Sequence, residues 1–253
     1  MKNLKKDKLD IRIYDTRKEM GTAAAADIET AVCEILKTKD CCNMIFAAAP
    51  SQNEVLEALA ASEKIDWSRV NAYHMDEYIG LAQDAPQGFA NFLRRGLFNK
   101  VPFASVNCLD STNEPNAECE RYGALLSANP TDIVCMGIGE NGHIAFNDPH
   151  VADFHDTHKV KIVDLDETCR MQQVHDGCFE SLYQVPKQAL TLTIPTLIAP
   201  KYVFCVVPAS TKATAVERTI NDPVSENCPA SILRHHDRAV LYLDKDSAAK
   251  IEE

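Results

Sequence analysis

Residues Met136–Pro149 read MGIGENGHIAFNDP. An apolar run, Ile133-Val134-Cys135-Met136, leads into this stretch and has the length of a buried strand. Gly137 and Gly139 then let the backbone turn sharply, and Gly142 permits a second close approach. Glu140, Asn141, His143 and Asp148 follow within nine residues, so a strand ends in glycines and presents an imidazole and an acid. That is how an α/β protein places a site at the carboxyl edge of its sheet. On spacing alone, a glycine-rich surface loop with a histidine is as good a reading. G-x-G by itself is weak, and the third glycine of a dinucleotide fingerprint is absent.

Working outward, a second stretch repeats the pattern. Val70–Leu81 reads VNAYHMDEYIGL, a short apolar strand that runs into Asp76 and Glu77. Elsewhere strands and helices alternate. Leu9–Tyr14 suits an edge strand, followed by a helix over Lys18–Thr38. Met44–Ala49 reads as a buried strand, and Ser51–Ala61 as a helix with Ser51 at the N-cap and Glu54 at capping-box spacing. Helices are expected over Gln87–Asn99, Asn116–Ser127, Glu167–Phe179 and Thr211–Ile220. Strands are expected at Val106–Leu109, Asp132–Met136, Lys159–Val163, Ala189–Ile194, Tyr202–Val207 and Ala239–Leu243. The alternation predicts a mainly parallel, doubly wound, Rossmann-like sheet with helices on both faces. With no repeat and no long linker, one α/β domain over residues 1–253 is expected.

MDEYIGL at Met75–Leu81 together with GIGENGHIAFNDP resembles the glucosamine-6-phosphate deaminase/isomerase family. Further matches are QVPKQALTL at Gln184–Leu192, VVPASTKATAV around Lys212, and CPASILRHH at Cys228–His236, in the same order along almost the whole chain. The layout is also similar to 6-phosphogluconolactonases. Those usually carry a G-P-D-G-H-T type motif, so HIAFND points to the deaminase branch. The resemblance implies a catalytic set of Asp76, Asn141, His143 and Asp148. Asp76 would move the proton next to a carbonyl, since burial lifts a carboxylate toward working pH; for Glu77 a solvated charge is nearly as good a reading. His143 would open the sugar ring, oriented by a hydrogen bond from Asn141 and supported by Asp148. Asp148 stands where the family has glutamate. One methylene shorter, it is expected to reach the imidazole by a backbone shift or through water.

The resemblance implies phosphate and substrate contacts at Ser51, Gln52, Gly137, Gly139, Lys212 and Arg170 or His175. The phosphate loop departs from the family's T-G-[SGT]-T-P pattern. Here Ala48-Ala49-Pro50-Ser51-Gln52-Asn53 has no glycine, and Pro50 has no N–H. Ser51 and Gln52 remain as donors at the helix start, while a plain capping role for Ser51 weighs equally. A substrate-binding arginine of the family would fall in ETCRMQQVHDGCF, where the register offers Arg170 or His175 beside a short insertion. The loop HVADFHDTH lacks the serine pair of allosterically regulated members, so activation by N-acetylglucosamine 6-phosphate is not expected.

Composition narrows the classes. A net charge of −11 argues against non-specific nucleic-acid binding. No apolar run approaches ~18 residues, so no membrane span is expected. MKNLKKDKLD is basic without an apolar region, hence not a secretory signal. The ten cysteines are scattered, which fits reduced thiols in a cytoplasmic protein, and neither metal-ligand spacing nor an organic cofactor signature is visible. The expected partner is a small phosphosugar, with metal and cofactor both absent. A homo-oligomer is compatible, since family members range from monomers to hexamers. Three readings therefore stay open: an aminosugar-phosphate deaminase/isomerase, a related sugar-phosphate isomerase or lactonase, and a non-catalytic sugar-phosphate sensor.

Overall fold

The computed structural model describes residues 1–251, so the last two residues of the expected domain lie outside it. The chain opens with β1 (Lys2–Lys6) and β2 (Leu9–Tyr14), joined by a turn at Asp7 with φ 52°. Thr16 accepts a hydrogen bond from Glu19 N and starts α1 (Arg17–Leu36). Met20, Ala24, Ile28, Ala31 and Ile35 form its buried stripe at helical spacing. Then come β3 (Cys42–Phe46), α2 (Asn53–Ala60), β4 (Val70–His74), β5 (Asp76–Tyr78) and α3 (Phe89–Leu93). The chain continues through β6 (Ser105–Asn107), α4 (Pro115–Ala128), β7 (Ile133–Met136), β8 (Val160–Asp164) and α5 (Glu167–His175). It closes with β9 (Gln188–Leu192), α6 (Ile194–Ile198), β10 (Tyr202–Val207), α7 (Ala213–Asn221) and β11 (Ala239–Asp244).

Eight strands form the main sheet in the order β1-β2-β11-β10-β7-β3-β4-β6. All are parallel except β1, which pairs antiparallel with β2. The two-residue period of a strand divides the core. Met44, Phe46, Ile133 and Cys135 belong to one apolar cluster, whereas Ile45, Val134 and Met136 belong to the other. Helices cover both faces, as the alternation predicts. Leu9–Tyr14 is not the edge strand: the lysine-rich β1 covers it, and charged side chains suit an exposed edge.

Two further expectations change. The strands near Lys159 and Ala189 do not extend the parallel sheet. They pair antiparallel as β8 and β9 with β5 in a separate three-stranded sheet. The chain leaves the main sheet at Met75, whose carbonyl accepts Leu192 N at 2.8 Å, and Asp76–Tyr78 then needs new partners. The helix expected over Gln87–Asn99 is a short α3 followed by a π turn at Arg94–Phe98. No described helix is long and apolar enough to cross a membrane. All ten cysteines are free, five of them buried.

Candidate active site

The carboxyl ends of β3, β4, β7 and β10 surround a cleft of about 740 Å³, open mouth included. Asp76, His143, Ser51, Gly137, Gly139 and Lys212 all line it. The two motif-bearing stretches therefore meet at one cleft, although Asp76 and His143 are 67 positions apart in the chain.

The 137–148 loop is built by local hydrogen bonds. Gly139 N donates to His143 O at 2.9 Å, Gly142 N to Gly139 O at 3.0 Å, and Asn147 Nδ2 to Ile144 O and Leu192 O. Of its three glycines only Gly142 adopts positive φ, at 91°. Gly137 and Gly139 serve space rather than turning: a Cβ at Gly139 would overlap the His143 ring, and one at Gly137 would sit 3.1 Å from Gln52 Nε2. The imidazole therefore lies directly over Gly139. Ala145 takes φ 49°, a left-handed conformation that costs a non-glycine residue energy and that is held here at the cleft wall.

His143 Nδ1 stands 2.9 Å from Asp148 Oδ1, so the shorter acid reaches the imidazole directly. Asn141 makes no hydrogen bond to the ring among the described residues. Its Nδ2 donates to Asp148 Oδ1 at 2.9 Å and to Asp166 Oδ2 at 3.2 Å, while its Oδ1 accepts His143 N at 3.0 Å. An amide is required there, because a carboxylate could not donate to two carboxylates. Burial alone would raise the Asp148 carboxyl, but His143 and the Asn141 amide outweigh it and hold it below its ordinary value.

Asp76 is 7% exposed and its carboxylate accepts no hydrogen bond among the described residues. Desolvation, reinforced by the neighbouring Glu77 charge, raises its pKa well above the carboxylate range. Glu77 is not solvated. It is buried and accepts the N–H groups of Tyr78, Phe89 and Ala90 at 2.9–3.1 Å, which caps α3. Lys212, also buried at 5% exposure, is reached through Ala209 at φ 80°, and its Nζ forms no hydrogen bond or ion pair among the described residues. Burial lowers its pKa, against the raising effect of Asp176 and Glu140.

Of the other expected ligands only Ser51 reaches the cleft. Ser51 lines the cleft but caps nothing; its Oγ accepts Gln52 Nε2 at 3.0 Å. Gln52 lies behind the wall, with Nε2 also on Val206 O and its backbone N–H on Ala49 O. Arg170 donates to the carbonyls of Leu182 and Val185, both at 2.8 Å, and His175 is half exposed beside Glu140. The 100° step of α5 puts Gln172, Gln173 and Asp176 on the face that lines the cleft, with Arg170 and His175 on its flanks. Gln172 also clamps the loop, accepting Glu140 N at 2.8 Å.

Sequence reasoning missed Arg17, Phe89, Phe146, Gln172, Gln173 and Asp176, all of which line the cleft. Phe146 carried a signal, since it lies inside the quoted loop. Phe89 and Phe146 stack with centroids 5.5 Å apart, giving the cleft an apolar floor. Arg17 carried none, being placed only by the packing of α1 on α2. The fold also gathers His143, Asp148 and Cys169 within 4.8 Å, a grouping invisible in the linear spacing. Burial holds the Cys169 thiol well above its ordinary range, which disfavours the thiolate a metal would need.

Fold and cleft together define an α/β protein with an unpaired carboxylate, an imidazole–carboxylate dyad and an unpaired lysine at the carboxyl edge of a parallel sheet. The chain belongs to the family described as glucosamine-6-phosphate isomerases/6-phosphogluconolactonase, whose model matches residues 15–242. It is 30% identical over 245 residues to a glucosamine-6-phosphate deaminase of Lactobacillus delbrueckii subsp. bulgaricus, covering 96% of this chain and all of the relative. It is 34% identical over 208 residues to one from Listeria innocua serovar 6a, covering 82% and 87%. A solved monomeric glucosamine-6-phosphate deaminase superposes with a TM-score of 0.86 at 27% identity, over 94% of this chain and 98% of that one. A 6-phosphogluconolactonase from Thermotoga maritima superposes with 0.78 at 20% identity, over 94% and 100%, and shares the fold.

Proposed function

We propose that the protein is an aminosugar-phosphate deaminase/isomerase that converts glucosamine 6-phosphate, or a close hexosamine phosphate, to a ketose 6-phosphate and ammonia. The observation that carries this reading is one cleft lined by Asp76, His143 and an unpaired buried Lys212. His143, with Asp148 behind it, transfers the proton between the sugar's C1 hydroxyl and its ring oxygen, which opens the ring. Asp76 takes the proton from C2 of the open aldehyde and returns it to C1 through an enediol-type enolamine. That isomerisation leaves a C2 imine. Water adds to it and ammonia departs, giving the ketose. The raised pKa of Asp76 suits this two-way task, since a base that must give its proton back is poorly served by the low affinity of an exposed carboxylate.

The test is direct. Purified protein incubated with glucosamine 6-phosphate is expected to release ammonia and fructose 6-phosphate in equal amounts. A folded protein that turns over no hexosamine phosphate overturns the reading. The α5 face offers Gln172, Gln173 and Asp176, which favours a second reading in which another epimer or a related phosphosugar is preferred. A panel of galactosamine 6-phosphate and 6-phosphogluconolactone separates the two by kcat/KM.

A further inference from the structure

The cleft presents no cation from α5, and the turn after β3 contains Pro50, which lacks an N–H. An anion held by Lys212 would therefore need another donor. Arg17, at the first turn of α1, lines the same cleft. Its Nε and Nη2 form a two-pronged pair with Glu54 Oε1 and Oε2, each 2.8 Å, and Nη2 also donates to Pro50 O at 2.8 Å. Nη1 makes no hydrogen bond among the described residues. One edge of the planar guanidinium is thus fixed and the other is left free. Gly21, one turn further along α1, makes the arrangement possible: a Cβ there would lie 2.5 Å from Glu54 Cβ, so only glycine lets α1 approach α2 this closely.

We propose that Arg17 is the second cation of the anion seat, binding the sugar's phosphate through Nη1 opposite Lys212 and taking over from the missing glycine-loop donors. The proposal rests on the phosphosugar reading above, and the test separates the two. Binding of inorganic phosphate is measured by calorimetry, and KM and kcat are measured with glucosamine 6-phosphate and with phosphate-free glucosamine. Wild type is compared with Arg17→Lys and with Arg17→Gln, which keeps a neutral donor toward Pro50 O. A charge-assisted hydrogen bond sets the expected size. Arg17→Gln should raise both the phosphate Kd and the KM for the phosphosugar roughly 10- to 100-fold. kcat should stay within about threefold and kinetics with free glucosamine should not move. Arg17→Lys should fall between the two proteins.

Phosphate Kd within twofold of wild type in a folded Arg17→Gln protein overturns the proposal, whether or not the enzyme turns over. An equal loss with free glucosamine also overturns it, because that pattern reports a merely structural arginine. Weakened phosphate binding without turnover of any hexosamine phosphate supports the seat and removes the deaminase reading instead.

Discussion

Asp76 is expensive to keep. A buried carboxylate with no hydrogen-bond donor loses solvation and gains nothing back from the protein, which is tolerable only where a ligand uses it. Asp76→Asn should abolish ammonia release while raising Tm at pH 7.5 by roughly 2–6 °C, the pattern of a site that trades stability for reactivity. Calorimetry and the coupled ammonia assay check both halves; a variant that is inactive and less stable would assign Asp76 to structure. Asn141 makes the opposite case, an amide locked between two acids. Asn141→Asp places a third carboxylate within hydrogen-bonding distance of Asp148 and Asp166, where it can only repel them or take up a proton. kcat/KM at pH 7.5 should fall by about tenfold or more and recover partly toward acid pH, where the new group is protonated. A flat pH dependence of the loss would show that Asn141 acts by its shape alone.

At the scale of elements, what the sequence showed depended on how local the cause was. β3, β7, β10 and β11 were legible because each is a short apolar run with turn residues at its ends, and the 137–148 loop because its residues are contiguous. The antiparallel β5-β9-β8 sheet was not legible, since β5 is three residues of charge and tyrosine whose partner lies more than a hundred residues away. Ser51 and Glu54 matched a capping box, yet a tertiary partner, Arg17, took Glu54 instead. The same competition placed Arg170 on two backbone carbonyls rather than in the cleft. The entry to α7 is strained: Ala209 sits at φ 80°, ψ 149°, a region suited to glycine, with its N–H held by both oxygens of Asp244 at 3.1–3.2 Å. Ala209→Gly should relieve about 1 kcal/mol of strain, partly offset by the added freedom of the unfolded chain. The Asp244 anchor stays in that variant, so KM should change less than twofold; a large rise in KM would mean that the alanine itself fixes Lys212.

Across the whole molecule, acid stability is set by groups that pull in opposite directions. His74 is fully buried, neither ring nitrogen has a hydrogen-bond partner among the described residues although Nε2 lies 3.7 Å from Glu77 Oε2, and burial aided by the Arg94 charge outweighs the Glu118 charge and lowers its pKa to about 3. It is neutral in the native protein throughout the range in which an unfolded histidine takes up a proton. Stability from this group is therefore complete above the unfolded pKa of about 6.5 and drains away below it, by roughly 1.4 kcal/mol per pH unit down to pH 3. Asp76 and Glu77 have the opposite sign. Their raised pKa values mean that the fold is penalised above the unfolded carboxylate range, and that the penalty is relieved as pH falls from the folded values to the unfolded ones. The net charge of −11 adds to that relief, since acidification reduces self-repulsion. Absolute Tm against pH mixes all of these, so the informative quantity is a difference between variant and wild type. His74→Phe keeps the edge-on contact with Tyr122 and removes the titrating group. Its Tm relative to wild type should climb steadily from pH 7 to pH 5. For Asp76→Asn the advantage should shrink as pH falls toward the unfolded carboxylate range, because the wild-type fold then holds a proton more readily than the unfolded chain does. Parallel Tm curves for either variant and wild type would show that the group in question does not titrate differently on folding, and would withdraw it from the account of acid stability.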